Sequence, residues 1–260
     1  MNPRVLDATI SRQIASGICA LAVMTKAPRA GKVKTRLTPP LTPEEASEIN
    51  IRFLRDIASA IAAATAGGRA KGIGVYTPIG EEEDFEGILP EQFQLVAQRG
   101  NTFGDRLTFA IEDILRLGFD SVCLINSDSP TVPPRVFVEA VEVLEAPGDR
   151  MVLGPSDDGG YYLIGLKKLH RRIFVDIDWS TERVFEQTMQ RVGELGLAAH
   201  LLPQWYDVDD RATLHRLCEE LFGADSVGEK ANFAAIATRD YLSKILQGDG
   251  RVRIWPGTME

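Results

Sequence analysis

Five of the eleven residues from 26 to 36 are basic (Lys26, Arg29, Lys32, Lys34 and Arg36), and none is acidic. The chain as a whole has 29 Lys and Arg against 37 Asp and Glu, a formal charge of −8, so this run reverses the local sign. Clustered cations beside Pro28 and Gly31 suit a polyphosphate. Lys and Arg neutralise its charge, and glycine lets the backbone approach closely. A solvated basic loop is the plainer reading, but the run follows an apolar strand, where parallel α/β folds bind ligands. It is not a Walker A loop: Lys26 stands where the first glycine belongs, and Val33 follows Lys32 in place of Ser or Thr.

Three acidic segments accompany it. In Asn126-Ser127-Asp128-Ser129-Pro130, Asp128 emerges just past an apolar run. A carboxylate there can hold a divalent cation that bridges phosphates, although a turn or helix cap would also use an Asp. Asp157-Asp158-Gly159-Gly160-Tyr161-Tyr162 pairs two acids with two glycines, more than a plain turn requires. Trp205-Tyr206-Asp207-Val208-Asp209-Asp210 offers further carboxylates that could share a metal with Asp128, or that simply favour a helix N-terminus. Two more polar loops stand out, Gln98-Arg99-Gly100 through Phe103-Gly104-Asp105-Arg106, and Asp178-Trp179-Ser180-Thr181.

Other chemistries find little support. His170, His200 and His215 are scattered without metal spacing, and neither HExxH nor a GxSxG elbow occurs. Gly72-x-Gly74 lies inside an expected strand and lacks the rest of a dinucleotide fingerprint. The acidic balance argues against nucleic acid or an anionic membrane as partner. No apolar run reaches the ~18 residues of a membrane span. Cys19, Cys123 and Cys218 form no CxxC pair and read as buried, reduced thiols of a cytoplasmic protein. The apolar stretch from Ile14 to Met24 is faintly like a signal peptide, but its small residues lie within the run, and a first buried strand is the better reading.

Elements that would position these groups follow from periodicity. Hydrophobic residues make up 44% of 260 residues, enough for one sizeable core. Strands are predicted at 18–24, 72–76, 93–97, 121–126, 150–153, 161–166 and 198–202. Helices are predicted at 104–117, from Pro133-Pro134 to about 145, and at 182–193, 211–222 and 230–246. Thr42-Pro43-Glu44-Glu45 reads as a capping box opening another helix, whose inward face is Ala46, Ile49, Phe53, Ile57 and Ala60. The alternation predicts an α/β fold, a mostly parallel twisted sheet with helices on both faces. One domain over 18–222 is expected, with a loop and helix at 223–247 packed on it and flexible termini at 1–17 and 248–260.

Taken together, the ordered motifs resemble a known family. Lys26-Ala27-Pro28…Gly31-Lys32-Val33-Lys34-Thr35-Arg36-Leu37, the Asn126–Pro130 run, Gly154-Pro155…Asp157-Asp158-Gly159-Gly160-Tyr161-Tyr162-Leu163-Ile164-Gly165-Leu166, Trp179-Ser180-Thr181 and Tyr206-Asp207-Val208-Asp209 are similar to a bacterial family of glycosyltransferase-like proteins. That family belongs to the nucleotide-diphospho-sugar transferase superfamily, with a single Rossmann-like GT-A domain, and some members are assigned to arsenosugar biosynthesis. The likeness covers about residues 18 to 222. The Lys34-Thr35-Arg36-Leu37 segment also resembles phospholactate guanylyltransferases. Asn126 departs from the pattern, standing where glycine or another small residue is expected.

The resemblance implies a transferase that uses a nucleotide-activated donor, most simply a nucleotide-diphospho-sugar, and a small acceptor of unknown identity. It implies nucleotide binding by Lys26, Gly31, Lys34, Arg36, Gln98 and Arg106. Asp128, Asp207 and Asp209 would hold Mg²⁺ or Mn²⁺. Gly159, Gly160, Tyr161, Trp179, Ser180 and Thr181 would shape the donor and acceptor pocket. Asp157, Asp158 or Asp178 would be the general base on the acceptor, a choice the sequence leaves open. A nucleotidylyltransferase joining a nucleoside triphosphate to a phosphorylated small molecule is the alternative, and a non-catalytic nucleotide or nucleotide-sugar sensor is a second.

Overall fold

The strand Cys19–Lys26 (β2) reads CALAVMTK, and its residues Cys19 to Val23 are all buried, as a central parallel strand covered on both faces requires. The computed structural model describes residues 4–10, 17–223 and 235–255. Around β2 lie Arg4–Val5 (β1), Ala70–Thr77 (β3), Gln94–Ala97 (β4), Ser121–Ile125 (β5), Arg150–Pro155 (β6), Tyr161–Leu166 (β7) and Ala198–Leu201 (β8). They form one 8-stranded sheet in the order β1-β4-β3-β2-β5-β7-β6-β8. Every pairing is parallel except those of β7, which runs antiparallel to β5 and β6.

Helices cover both faces. Pro43–Ala64 (α1) and Pro134–Glu145 (α3) pack on one, where Leu54, Ile61, Phe137 and Ala140 meet Leu21 and Val23. Phe103–Arg116 (α2) and Val184–Glu194 (α4) pack on the other, where Ile111, Ile114 and Val192 meet Ala20 and Ala22. The expected capping box is present: Thr42 accepts from the Glu45 backbone, Glu45 returns the bond to Thr42, and Pro43 opens α1. A second box, Thr102 with Asp105, opens α2. The outward flank of α1, with Ile49 and Phe53, packs against Arg211–Phe222 (α5), Ile236–Leu246 (α6) and Gly250–Ile254 (α7) through Leu214, Leu217, Leu242 and Ile254.

Both termini differ from expectation. Residues 4–5 pair with β4 and Leu6 is buried, so part of the 1–17 segment belongs to the sheet. Residues 250–254, expected to be flexible, form α7, where Ile254 is buried and Arg253 Nη2 pairs with Glu45 at 2.9 Å. Glu45 already caps α1, so the tail is fastened to a charge some 200 residues away that no local pattern announces. Residues 1–3, 11–16, 224–234 and 256–260 of the predicted segments lie outside the described residues.

Candidate active site

Because β2, β5 and β6 are parallel, their carboxyl ends share one edge of the sheet. Three segments leave there: 27–36 after β2, 126–133 after β5 and 156–160 after β6. The chain after β8 returns along this edge. Trp205 bridges Ser156, the Asp157 backbone N–H donates to the Trp205 carbonyl at 3.0 Å, and the Val208 N–H donates to the Asp128 carbonyl at 2.9 Å. All four candidate motifs thus converge.

Lys34 is the junction. Its backbone is left-handed, with φ 48° and ψ 37°, unusual for a residue bearing a Cβ. Its Nζ lies 2.5 Å from Asp128 Oδ1 and 2.9 Å from Asp209 Oδ1, and donates to the Val208 carbonyl at 2.8 Å. The side chain is only 5% exposed. Burial alone would lower the lysine pKa, but the Asp128 and Asp209 charges outweigh it and the net direction is upward. Burial would likewise raise Asp209, yet Lys34 and then Arg36 hold it below the ordinary carboxylate range. Arg36 Nη2 reaches Asp209 Oδ2 at 3.3 Å, so both oxygens of Asp209 serve cations.

Asp207 is built differently. Its Oδ1 accepts from Asn126 Nδ2 at 2.7 Å and Ser129 Oγ at 2.6 Å. Burial, supplemented by the charges of Asp128 and Asp158, pushes its pKa up to about 6 against the pull of those hydrogen bonds. Asn126 also accepts from the Asp128 backbone N–H at 3.3 Å, and so ties the two aspartates together. The residue that departs from the family pattern is therefore a positioning element, and Ser129 is its companion. Their only sequence signal is adjacency to Asp128.

Two cavities meet at this cluster. A basic one of about 280 Å³ is lined by Lys26, Lys32, Lys34 and Arg36, with Asn50 and Ser127. A larger one of about 380 Å³ is lined by Asp128, Asp158, Asp207 and Asp209 and by Leu107, Phe103 and Trp179, among others. Arg36, Asp128 and Asp209 border both. Phe103 and Trp179 meet edge to face, 5.2 Å between centroids at 76°. Gly104 makes room for them, since a Cβ there would come 2.8 Å from the Trp179 indole nitrogen. Gly159, at φ +86°, lets the acidic turn approach the opposite loop; a Cβ there would lie 2.1 Å from the Glu182 carbonyl oxygen.

The general-base candidates separate. Asp158 lines the larger cavity and its Oδ1 accepts from the Gly160 N–H at 2.9 Å. Asp157 points to Arg216, whose guanidinium stacks 3.8 Å over the Tyr206 ring. Asp178 pairs with Arg183 at 2.9 Å and accepts from Gln187 Nε2 at 2.7 Å. Neither Asp157 nor Asp178 lines the cavity. Gly160, Tyr161, Ser180 and Thr181 do line it. Of the expected nucleotide-binding set, Gln98 donates to the Thr25 and Val75 carbonyls at 3.0 and 2.8 Å and clamps two strand ends. Gln98 and Arg106 line neither cavity. Gly31 is exposed in the loop, and Lys26 Nζ donates to the Lys32 carbonyl at 3.0 Å. Arg29 turns away to Glu81 and Asp84.

For a divalent cation the donors are carboxylate oxygens, the hard ligands that Mg²⁺ and Mn²⁺ take. Among the described residues no group of three His, Cys, Asp or Glu side chains converges as a metal site. Both oxygens of Asp209 are held by Lys34 and Arg36, whereas Lys34 holds only Oδ1 of Asp128, so Asp128 and Asp207 would be the fitting pair, and phosphate oxygens would have to complete the shell.

Residues 60–181 match the family described as "Uncharacterized protein conserved in bacteria (DUF2064)". A search of curated proteins returns no match. A solved structure from Desulfovibrio desulfuricans G20, a candidate nucleotide-diphospho-sugar transferase, is 28% identical with a TM-score of 0.73, covering 87% of this chain and 98% of its own. The resemblance read from the motifs is borne out by that likeness, which supports an enzyme of the transferase class. CMP:2-keto-3-deoxy-manno-octonic acid synthetase, solved with CTP, is 10% identical with a TM-score of 0.50 over 76% of this chain and 96% of its own, a likeness of fold alone. No helix among the described residues is long and apolar enough to cross a membrane.

Proposed function

We propose that the chain transfers a group, most simply a sugar, from a nucleotide-diphospho donor to a small acceptor. The observation that carries this reading is the junction of a basic pocket with an acidic, aromatic-walled cavity at Arg36, Asp128 and Asp209. The donor's diphosphate lies against Lys26, Lys32 and Arg36, which are charge-assisted donors for its oxygens. The transferred group and the acceptor lie in the larger cavity. The acceptor oxygen bonds to the donor's anomeric carbon, the bond from that carbon to phosphate oxygen breaks with its electron pair leaving on the diphosphate, and the hydroxyl proton passes to Asp158. Asp128 and Asp207 would hold Mg²⁺ or Mn²⁺, which supplies Lewis-acid stabilisation of the leaving charge. Lys34 keeps Asp128 and Asp209 in place, and Asn126 and Ser129 orient Asp207.

The test is a thermal-shift screen of nucleotides and nucleotide-sugars with Mg²⁺, with Mn²⁺ and with chelator. A ligand at ~100 times its dissociation constant adds about 2.7 kcal/mol to stability. Metal-dependent shifts by nucleotide-sugars, followed by release of the nucleoside diphosphate, support the reading. Release of pyrophosphate from a nucleoside triphosphate selects the nucleotidylyltransferase alternative, which the basic pocket also suits. Unchanged melting with every nucleotide defeats both.

A further inference from the structure

The larger cavity is unusual in its charge. Its lining includes the acidic residues Asp128, Asp158, Glu182, Asp207 and Asp209, and Arg36 is the one Lys or Arg among them. Lys34 compensates Asp128 and Asp209 from behind, and Arg36 is already engaged by Asp209. Asp158, Asp207 and Glu182 have no cationic side chain within ion-pair distance among the described residues. Phe103, Trp179 and Leu107, with further apolar residues, complete the lining. An anionic group placed in this space would lose water, meet unpaired carboxylates and find only Arg36 as a donor of opposite charge, which Asp209 and the donor's diphosphate also use. The cations of the site lie on the other side of the junction, where the donor's phosphates take them, and a divalent cation at Asp128 and Asp207 would be shared with those same phosphates. An apolar or cationic face, by contrast, matches the aromatic wall.

We propose that the acceptor carries no anionic group, presents an apolar face to Phe103 and Trp179 and a hydroxyl to Asp158, and is neither a phosphate ester nor a carboxylic acid. This rests on the transferase reading and sharpens it, because it removes phosphorylated acceptors from consideration.

The experiment titrates benzyl alcohol, benzyltrimethylammonium and benzyl phosphate into the full chain. Binding is followed at the Trp179 indole N–H resonance, assigned with Trp179→Phe. A parallel series uses the Lys26→Ala, Lys32→Ala protein, so that anchoring of a phosphate in the neighbouring basic pocket is told apart from binding in the cavity. The alcohol and the ammonium should shift the resonance saturably in both proteins. In the doubly substituted protein, benzyl phosphate should bind at least roughly tenfold more weakly than the alcohol, as an unpaired charge in a partly desolvated site demands, and Asp158→Asn should narrow that gap. Equal or tighter binding of benzyl phosphate in the doubly substituted protein overturns the proposal, and so does the lack of a saturable shift with all three probes. A protein that passes this test but whose melting ignores every nucleotide would refute the transferase reading while leaving the chemistry of the cavity established.

Discussion

Replacing Lys34 by Met removes the ammonium and keeps a flexible stem of similar size, so the cavity penalty is small and the electrostatic loss is isolated. Lys34 is 5% exposed, while Asp128 and Asp209 are 32% and 35% exposed. Removing one partner of a fully buried pair costs about 3–5 kcal/mol, and partial solvation of the carboxylates brings this to about 2–3 kcal/mol here. In a chain of this length that is a fall in Tm of about 4–12 °C. The sign of the pH dependence follows from the shifts. Asp209 is held low in the folded state, so its contribution is present above the unfolded carboxylate pKa of about 3.9 and is lost as the pH falls through the lower folded value. Lys34 is raised, so its contribution is complete below the unfolded value of about 10.4 and is lost as the pH rises through the folded one. Urea unfolding of both proteins should therefore show the widest gap near pH 7 and a narrowing gap by about pH 3, as Asp209 begins to lose its charge. The same substitution should strengthen Mg²⁺ binding without nucleotide, since Asp128 loses its resident cation. A gap below about 0.5 kcal/mol at pH 7, within the range of an ordinary surface substitution, or one that persists unchanged at pH 3, would show that Lys34 is not the counter-ion of this cluster.

Three other outcomes are expected. Asp158→Asn should lower kcat by roughly 10²–10⁴ with donor affinity kept, whereas Asp157→Asn and Asp178→Asn, which touch Arg216 and Arg183 instead of the cavity, should change kcat only a few-fold; steady-state kinetics on the three variants compares them. Burial holds the Asp207 pKa up at about 6, above the ordinary carboxylate value of about 3.9, so the native state holds the extra proton and stability falls as the pH rises between these values. Asp207→Asn, which keeps an oxygen for Asn126 and Ser129, should therefore stabilise the protein by up to about 3 kcal/mol at pH 7 and by nothing below pH ~4, as read from denaturant midpoints. Gly159→Ala should fold less stably by at least ~1–2 kcal/mol for its left-handed backbone, and should lose ligand shifts at Trp179 because its Cβ would collide with the Glu182 backbone; calorimetry with the same titration checks it.

Much of the scaffold was legible from local pattern. The bounds Tyr161–Leu166 and Arg211–Phe222 are those expected from periodicity, Pro134–Glu145 lies within a residue of them, and the Thr42 capping box formed as written. Each depends on residues within a turn or two of one another, which is the range over which apolar spacing and cap chemistry act. The convergence of the motifs on one edge was legible as well, because parallel strands bring their carboxyl ends together whatever their loops contain. What each charged group does there was not. Lys34 reads as a phosphate ligand in a basic run, yet its partners lie 94 and 175 residues away and make it a buried counter-ion. Asp157 and Asp158 are adjacent and chemically identical, and only the packing of α5 beneath the turn gives the first to Arg216 and leaves the second facing the cavity. Asn126 and the tail residue Arg253 belong to the same class, their roles set by Asp207 and Glu45 across 81 and 208 residues. Element and edge follow from short-range pattern. The assignment of one carboxylate to chemistry and its neighbour to an ion pair follows from distance and desolvation, which exist only once the chain has closed on itself.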